Sequence, residues 1–337
     1  MRRLQILATA LLVSASGVRA DVPNIVVDIP PVFSLVSSVM QGVGTPKLLL
    51  RGNESPHNFA LRPSQRRDLG QADIIFWIGE GLTPWLEKAQ ASLTQTPIAV
   101  ALGEQTGVVQ LSFREGAFFE NHDEHDGHGD VNGHEEHNHA ETHENAAAHD
   151  GKDHQDHAGH DHSGLDPHFW LDPENAIHWI YTIADILSQT DPENAGAYYA
   201  NAAKTKASLE LLNKNIAQQL APHGAERFLI VHDAFQYFEA RFGLAAQGAI
   251  SDGHAAPPSA ARILAIRKLM QDQKISCVFA EPGYNAKLLD NLISGTSVRL
   301  KQLDPLGAGL PMDHTLYEAV LQNMADTMVA CFTNNEG

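Results

Sequence analysis

Cations are scarce in this sequence. Its 337 residues contain 23 Lys and Arg against 41 Asp and Glu, which gives a formal net charge of −18 with histidine neutral. A protein that binds nucleic acid needs clustered cations at its surface, so this balance argues against a nucleic-acid partner. The chain is otherwise 43% hydrophobic and 19% charged, which is typical of a globular protein, and its length suits two domains.

Long hydrophobic runs are absent as well. The N-terminal apolar run at 4–13 covers about ten residues, whereas a membrane-spanning helix needs about 20. Two arginines precede this run and a small-residue pattern at 18–20 follows it, which is typical of a secretory signal peptide; a buried helix is the alternative. We therefore expect residues 1–20 to be cleaved after Ala20, and the mature protein to be exported without spanning a membrane.

Cysteine is limited to two residues, Cys277 and Cys331. In an exported protein an even pair favours one disulfide, and two buried free thiols are the alternative. The disulfide would close a loop of about 55 residues and contribute roughly 2–4 kcal/mol, mainly by restricting the unfolded chain. The wide separation and the lack of a Cys-x-x-Cys motif argue against a thiolate metal site.

What the sequence does contain is a regular alternation of apolar strands and amphipathic helices. Strands that are apolar on both faces and alternate with helices indicate an α/β fold with parallel sheets covered by helices. The predicted strands lie at 24–29, 48–50, 74–78, 98–102, 228–231, 276–280 and 297–300.

Capping signals predict where several helices begin. An N-cap residue followed by proline occurs at Thr83, Asp172 and Asp191. Thr315 and Glu318 have the spacing of a capping box at the start of the last helix. The helix after Asp191 runs without a breaker from 192 to about 220, or about 43 Å at 1.5 Å per residue.

This long helix is more than one small lobe needs, so we predict that it joins two α/β lobes. The N-terminal lobe would cover residues 21–190, the linking helix 191–222, and the C-terminal lobe 223–337. The first lobe is interrupted at 114–165 by a segment rich in histidine, aspartate and glutamate. Since it lacks core-forming residues, we expect a disordered surface loop.

Within this insertion, residues 121–164 hold 12 of the 19 histidines of the chain, together with 12 acidic residues and one lysine. Tracts of this kind bind divalent transition metals by composition, although a solvated acidic loop with incidental affinity is the alternative. The candidate auxiliary ligands, which repeat at short spacings, are His122, His125, His128, His134, His137, His139, His154, His157, His160 and His162.

Four further candidates lie outside the insertion, in loops next to predicted strands and helices. His57 and His232 follow strands, His168 precedes the Asp172 cap, and Asp304 follows the last predicted strand. Open α/β sheets bind their ligands at the carboxyl ends of strands. Taken singly, each histidine is more often structural than a ligand, so their grouping is a hypothesis at this point.

Several motifs in matching order resemble the periplasmic zinc-binding protein of the bacterial zinc-uptake ABC transporter. The likeness covers nearly the whole mature chain and includes the insertion and the cysteine pair. It is carried by the segments 52–64, 166–173 (Asp-Pro-His-Phe-Trp-Leu-Asp-Pro), 232–239, 279–282 and 303–307.

The resemblance implies two lobes joined by a rigid helix, with one metal ion in the cleft between them. By motif, the family's histidine ligands fall on His57, His168 and His232, and its carboxylate falls on Asp304. In several zinc-binding members a glutamate precedes the first histidine, whereas this chain has Pro56 there. That leaves Asp304 or water as the fourth ligand.

The family further implies a transport protein rather than an enzyme. Zn²⁺ would be its cargo, an ABC permease its membrane partner, the periplasm its location and a monomer its state. Manganese-binding relatives replace the third histidine with glutamate, so His232 favours zinc over manganese. A zinc hydrolase with the same three histidines is the alternative from another class, but the His-Glu-x-x-His motif is missing.

Overall fold

The computed structural model of the chain describes residues 22–51, 54–114, 119, 164–251 and 259–334. Within these residues the fold contains two fully parallel sheets, one of four strands in the N-terminal part and one of three in the C-terminal part. Helices lie between successive strands, as the alternating pattern predicted. The predicted α/β fold with two lobes is confirmed.

The first sheet has the order β2-β1-β3-β4 and the second has the order β5-β6-β7. The strands are β1 (Ile25–Val27), β2 (Lys47–Leu48), β3 (Ile74–Trp77), β4 (Ile98–Ala101), β5 (Phe228–Ile230), β6 (Cys277–Ala280) and β7 (Arg299–Gln302). The helices are α1 (Pro30–Val39), α2 (Pro63–Gly70), α3 (Pro84–Gln90), α4 (Pro173–Thr190), α5 (Ala195–Leu220), α6 (Gln236–Phe242), α7 (Ala260–Asp272), α8 (Ala286–Ile293) and α9 (Leu316–Phe332).

The central strands are buried on both faces because alternate side chains point to opposite sides of each sheet. Ile25 and Val27 of β1 belong to a core that extends through α5 to the second sheet, whereas Val26 faces a smaller core under α2 and α3. In the second sheet, Val278 of β6 faces a separate core beneath α7 and α8. This double burial explains why the strands are apolar throughout.

The large core is shared by both lobes. It contains residues of β1 and β3, the apolar side of α5, and residues of β5, β6 and α9. Helix α5 packs against α1 and α4 of the N-terminal part and against α6 and α9 of the C-terminal part. One face of the predicted linking helix therefore belongs to the common core, whereas Tyr199 and Leu211 of the same helix are exposed. The residue limits given above for the signal peptide, the lobes and the linker stay predictions.

The linking helix begins later than 192. Residues Pro192–Asn194 form a 3-10 turn, and the α-helix covers the 26 residues from Ala195 to Leu220. The carboxylate of Asp191 does not cap this helix, because its Oδ2 accepts hydrogen bonds from the Asn194 side chain at 2.7 Å and from the Tyr198 hydroxyl at 2.8 Å. Asp191 therefore precedes the 3-10 turn and does not cap the α-helix.

The other start signals also differ in outcome. Asp172 accepts a hydrogen bond from the backbone N–H of Glu174 at the start of α4, as a cap should. The capping box predicted for α9 does not form: the Thr315 hydroxyl donates to Asp313 at 2.6 Å instead. The last strand begins two residues late, because Thr296 forms a turn that extends to Val298.

The predicted disulfide is present between Cys277 of β6 and Cys331 of α9. It ties the middle strand of the second sheet to the helix that packs on α1 and α5. Among the helices of the described residues, none combines the length and apolarity needed to cross a lipid bilayer.

One buried acid stands apart from the cleft. Asp28, at the end of β1, is fully buried and accepts hydrogen bonds from the backbone N–H groups of Ile29 and Ile78, both at 2.8 Å. Burial raises its pKa to about 7, and these hydrogen bonds act in the opposite direction.

Candidate metal centre

Three histidines from distant parts of the chain meet in one cavity. The ring centroids of His57, His168 and His232 lie 5.2–5.6 Å apart, and one ligand nitrogen of each lies within 4.8 Å of the others. His168 and His232 are buried, and His57 is partly exposed. The cavity has a volume of about 110 Å³. Among the described residues, this is the cluster of potential metal ligands that the structure brings together.

His232 is held at the carboxyl end of the second sheet. It follows β5 after one residue, and Glu281 follows β6 directly. Both carboxylate oxygens of Glu281 lie 3.2 Å from Nδ1 of His232. Burial acts to raise the pKa of Glu281, but His232 and, more weakly, His168 outweigh it and lower that pKa. If a charged Glu281 accepts from Nδ1–H, the metal-binding nitrogen of His232 would be Nε2.

His168 is held by the residue two positions before it. Its Nδ1 lies 2.6 Å from Oδ1 of Asp166, and its backbone N–H donates to the same oxygen at 3.0 Å. Asp166 is itself fixed, because its N–H donates to the Leu111 carbonyl and its carbonyl accepts from the Tyr237 hydroxyl. The ring of His168 is thereby oriented with Nε2 away from Asp166.

The loop that carries His57 is anchored by Trp85 of α3. The Trp85 indole donates to the carbonyl of Pro56 at 2.7 Å, and Phe59 packs against the same indole with ring centroids 5.1 Å apart. Glu54 lines the cavity two residues before Pro56. It accepts from the backbone N–H of Arg51 at 2.9 Å and pairs with Arg62.

Asp304 lines the same cavity, but its carboxylate is used by the local turn. Its Oδ1 accepts from the N–H groups of Leu306 at 3.0 Å and Gly307 at 2.9 Å, and its Oδ2 accepts from Ala308 at 2.6 Å. The close group of ligand atoms consists of the three histidines. A carboxylate can accept about four hydrogen bonds, so one position remains for a metal ion.

The ten candidate auxiliary histidines of the insertion, from His122 to His162, lie outside the described residues. The structure does describe residues at the two ends of the insertion: Ser112, just before it, forms an antiparallel bridge with Leu165, and the Phe113 N–H donates to the Gly164 carbonyl at 3.2 Å. The two ends of the insertion are therefore close together and next to Asp166.

Sequence reasoning missed the role of Asp166. It was quoted within the Asp-Pro-His motif but given no function. The signal that could have identified it is an acidic residue two positions before a candidate ligand, where a proline makes the local turn rigid. Glu281, which lies in the segment 279–282, has a specific partner in His232.

The comparisons with known proteins agree with one another. The family model "Zinc-uptake complex component A periplasmic" matches residues 25–331. The High-affinity zinc uptake system protein ZnuA of Brucella suis is 41% identical over 329 residues, covering 97% of each chain. That of Paracoccus denitrificans is 42% identical over 327 residues, again with 97% of both chains covered.

A solved structure supports the fold. The crystal structure of a ZnuA deletion mutant with zinc bound superposes with a TM-score of 0.69 at 23% identity, covering 93% of this chain and 98% of that one. Since a family model spans most of the chain and relatives share two fifths of its residues over nearly its full length, this chain belongs to the ZnuA family of periplasmic zinc-uptake components.

Proposed function

We propose that this protein captures one Zn²⁺ in the periplasm and delivers it to a membrane ABC permease for import. The observation that carries the proposal is the convergence of three imidazoles, with ligand nitrogens within 4.8 Å of one another, in a largely buried cavity. In this proposal His57, His168 and His232 bind the ion, and Asp304 or water supplies the fourth ligand.

The spacing suits a small ion with short bonds. Zinc–nitrogen bonds of about 2.0–2.1 Å in tetrahedral geometry separate two ligand nitrogens by about 3.3 Å. The rings therefore need to approach by no more than about 1.5 Å when the ion binds. The carboxylates on Nδ1 of His168 and His232 support this geometry, because such partners orient the ring and raise the basicity of the ligating nitrogen.

The donor set favours zinc over manganese. Three neutral imidazoles form a nitrogen-rich site that suits zinc, whereas manganese prefers carboxylate, carbonyl and water oxygens. The carboxylates of Glu281 and Asp304 lie at the cavity, but one is paired with His232 and the other with three backbone N–H groups. The alternative is a manganese carrier of the same fold. The metal competition described below distinguishes the two.

The same bonding argues against a hydrolase. A hydrolytic zinc site needs a general base near the metal-bound water. Among the described residues that line the cavity, the carboxylates are Glu54, Glu281 and Asp304, and each has a partner in the protein. A carrier needs no such base, so we propose that the protein is not an enzyme.

The remaining parts of the proposal concern the cell. Export would follow cleavage after Ala20, and the mature protein would act as a monomer that docks on the permease. The insertion would bind further zinc ions weakly, since each of its sites has to be ordered on binding.

A metal competition tests the proposal. Metal-free mature protein is equilibrated with equimolar Zn²⁺ and Mn²⁺ and then analysed for metal content, with zinc affinity measured against a chelator. We expect one tight zinc ion per chain, and loss of that ion when His57 and His168 are both replaced by alanine. A bound fraction dominated by manganese, or tight zinc binding in the double variant, would refute it.

Delivery is tested with the permease in membrane vesicles. Zinc uptake should require the protein, should follow its zinc loading, and should stop with the double histidine variant. Esters and peptides incubated with the zinc-loaded protein should remain intact. Turnover of such substrates would favour the hydrolase.

A further inference from the structure

A largely buried arginine at the start of the insertion contacts the loop that carries His232. The Arg114 side chain, 17% exposed, lies between the carboxylates of Asp233 and Glu239, which are 5% and 3% exposed. Its Nε donates to Asp233 at 3.0 and 3.3 Å, and its Nη1 and Nη2 donate to Glu239 at 2.7 and 3.1 Å. Nη2 also pairs with Asp233. Phe119 covers the guanidinium, whose carbon lies 3.9 Å from the ring centre.

These contacts cross between the two lobes. Arg114 follows β4 of the first sheet, whereas Asp233 lies in the loop after β5 and Glu239 lies in α6. The segment before Arg114 lies between α4 and α6: the Val109 N–H donates to the Asn175 side chain, and the Leu111 N–H donates to the Tyr237 hydroxyl. Because these two hydrogen bonds fix the backbone before Arg114, they also fix the position of the arginine.

Asp233 is the residue directly after His232. Its carboxylate forms a bidentate ion pair with the guanidinium of Arg114. This geometry restricts the position of the side chain more strongly than a single charge contact does. The imidazole of His232 is fixed independently by Glu281. Glu281 thus constrains the ring of His232, and the Arg114–Asp233 pair constrains the backbone next to it.

We propose that Arg114 is a positioning residue for metal binding, which sets the place of His232 through Asp233. The proposal rests on the function proposed above, in which His232 binds zinc. Without the guanidinium, two buried carboxylates would face each other with no cation between them. Buried charges that lose their partner are strongly destabilising, so the loop would shift or admit water. Either change moves His232 relative to His57 and His168.

The structure offers a matched control. Arg241 of α6 forms a second bidentate ion pair between the lobes, with both hydrogen bonds to Asp172 at 2.7 Å. Asp172 caps α4, and among the described residues the hydrogen bonds of the Arg241 side chain go to Asp172 and not to Asp233. Replacing Arg241 removes a comparable ion pair but leaves the Asp233 contact intact.

The experiment compares Arg114→Gln, Arg114→Lys and Arg241→Gln in the otherwise complete mature protein. Zinc affinity is measured by chelator competition, the coordination geometry by the visible spectrum of bound Co²⁺, and stability by urea unfolding. We expect Arg114→Gln to weaken zinc binding by about 10- to 100-fold, the range for outer partners of metal ligands, and to change the cobalt spectrum. Arg241→Gln should lose stability with the wild-type affinity and spectrum.

Arg114→Lys keeps the charge without the planar fork, so it should fold and bind zinc at least about threefold more weakly than wild type. If Arg114→Gln does not fold, this variant decides the question. Wild-type affinity and spectrum in the Arg114 variants, or equal losses in Arg241→Gln, would overturn the proposal. A wild-type protein without a tight zinc site would overturn the proposed function as well, which separates the two failures.

Discussion

Asp166 accepts two hydrogen bonds from one residue, the backbone N–H of His168 at 3.0 Å and its ring Nδ1 at 2.6 Å, both on Oδ1. One carboxylate oxygen thus fixes both the backbone and the ring of His168. Because both groups are buried, this contact is shielded from water and should influence the site more than an exposed pair would.

The first prediction follows from this contact. Asp166→Asn should weaken zinc binding by about 10- to 100-fold, because the amide oxygen accepts a hydrogen bond without the charge that raises the basicity of the ring. Chelator competition measures the effect. Asp185→Asn is the control, since Asp185 accepts one hydrogen bond from the exposed Tyr199 hydroxyl far from the cavity. Unchanged affinity in Asp166→Asn would show that His168 needs no charged partner.

The second prediction concerns Asp304. Its three hydrogen bonds to backbone N–H groups mean that Asp304→Ala should reduce the free energy of unfolding by about 1–3 kcal/mol. It should weaken zinc binding less than His168→Ala does, because water can replace one carboxylate oxygen. Urea unfolding and zinc competition on the same samples separate the two effects.

Asp313→Ala provides the control for this turn. Asp313 also accepts local hydrogen bonds, from the N–H and the hydroxyl of Thr315, but at an exposed position. It should cost less stability and leave zinc affinity unchanged. An Asp304→Ala variant as defective in zinc binding as His168→Ala would make the carboxylate a primary ligand.

The third prediction is a pH dependence set by Asp28. Its pKa is raised from 3.8 to about 7 in the folded state, so between these values the folded protein binds more protons than the unfolded chain. Stability attributable to this group therefore falls as the pH rises from about 4 to about 7. The slope is about 1.4 kcal/mol per pH unit, or roughly 4 kcal/mol over the window.

Urea unfolding at several pH values measures this slope. The difference in stability between wild type and Asp28→Asn should change in favour of the variant as the pH rises, because the variant has no charge to bury. Asp290→Asn, at an exposed position of α8, should keep the wild-type slope. Parallel curves for wild type and Asp28→Asn would contradict the raised pKa.

The fourth prediction concerns the insertion. Deleting residues 121–163 should lower the total zinc bound but retain the single tight site, because the residues that hold the cleft histidines lie outside the deleted segment. Zinc binding at the weak sites of the insertion should fall as the pH drops through about 6.5, since protonated imidazole cannot bind metal. Calorimetry measures both classes of site.

A variant of full length with serine in place of the ten auxiliary histidines is the matched control for that deletion. It should resemble the deletion in zinc stoichiometry. If the deletion alone abolished the tight site, the insertion would have to supply a ligand or a structural contact, and the two classes of site could not be independent.

Local signals in the sequence were sufficient for most of the fold. Short runs of β-branched residues bounded by turns identified the strands, because strands buried on both faces have to be apolar throughout. Cap signals were less reliable. Asp172 caps α4, whereas Asp191 binds Tyr198 and Thr315 binds Asp313, since a side-chain oxygen has several possible partners and only the folded structure selects one.

The site could be predicted only in part. The spacing of His57, His168 and His232 in the sequence does not show that they meet, and the resemblance to a family supplied that grouping. The supporting contacts of Asp166 and Arg114 depend on tertiary structure. Arg114 in particular is the first residue of the acidic insertion, where nothing in the sequence distinguishes it from a solvated charge.

The shared core of the two lobes affects whether the lobes can unfold independently of each other. Residues of both sheets, α5 and α9 belong to one apolar cluster, so no boundary between the lobes is free of buried contacts. Exposing only 200 Å² of this cluster would cost about 5 kcal/mol, close to the whole margin that holds a typical domain folded. We therefore expect the two halves of the chain to unfold together, so that heat or denaturant melts both sheets in one transition.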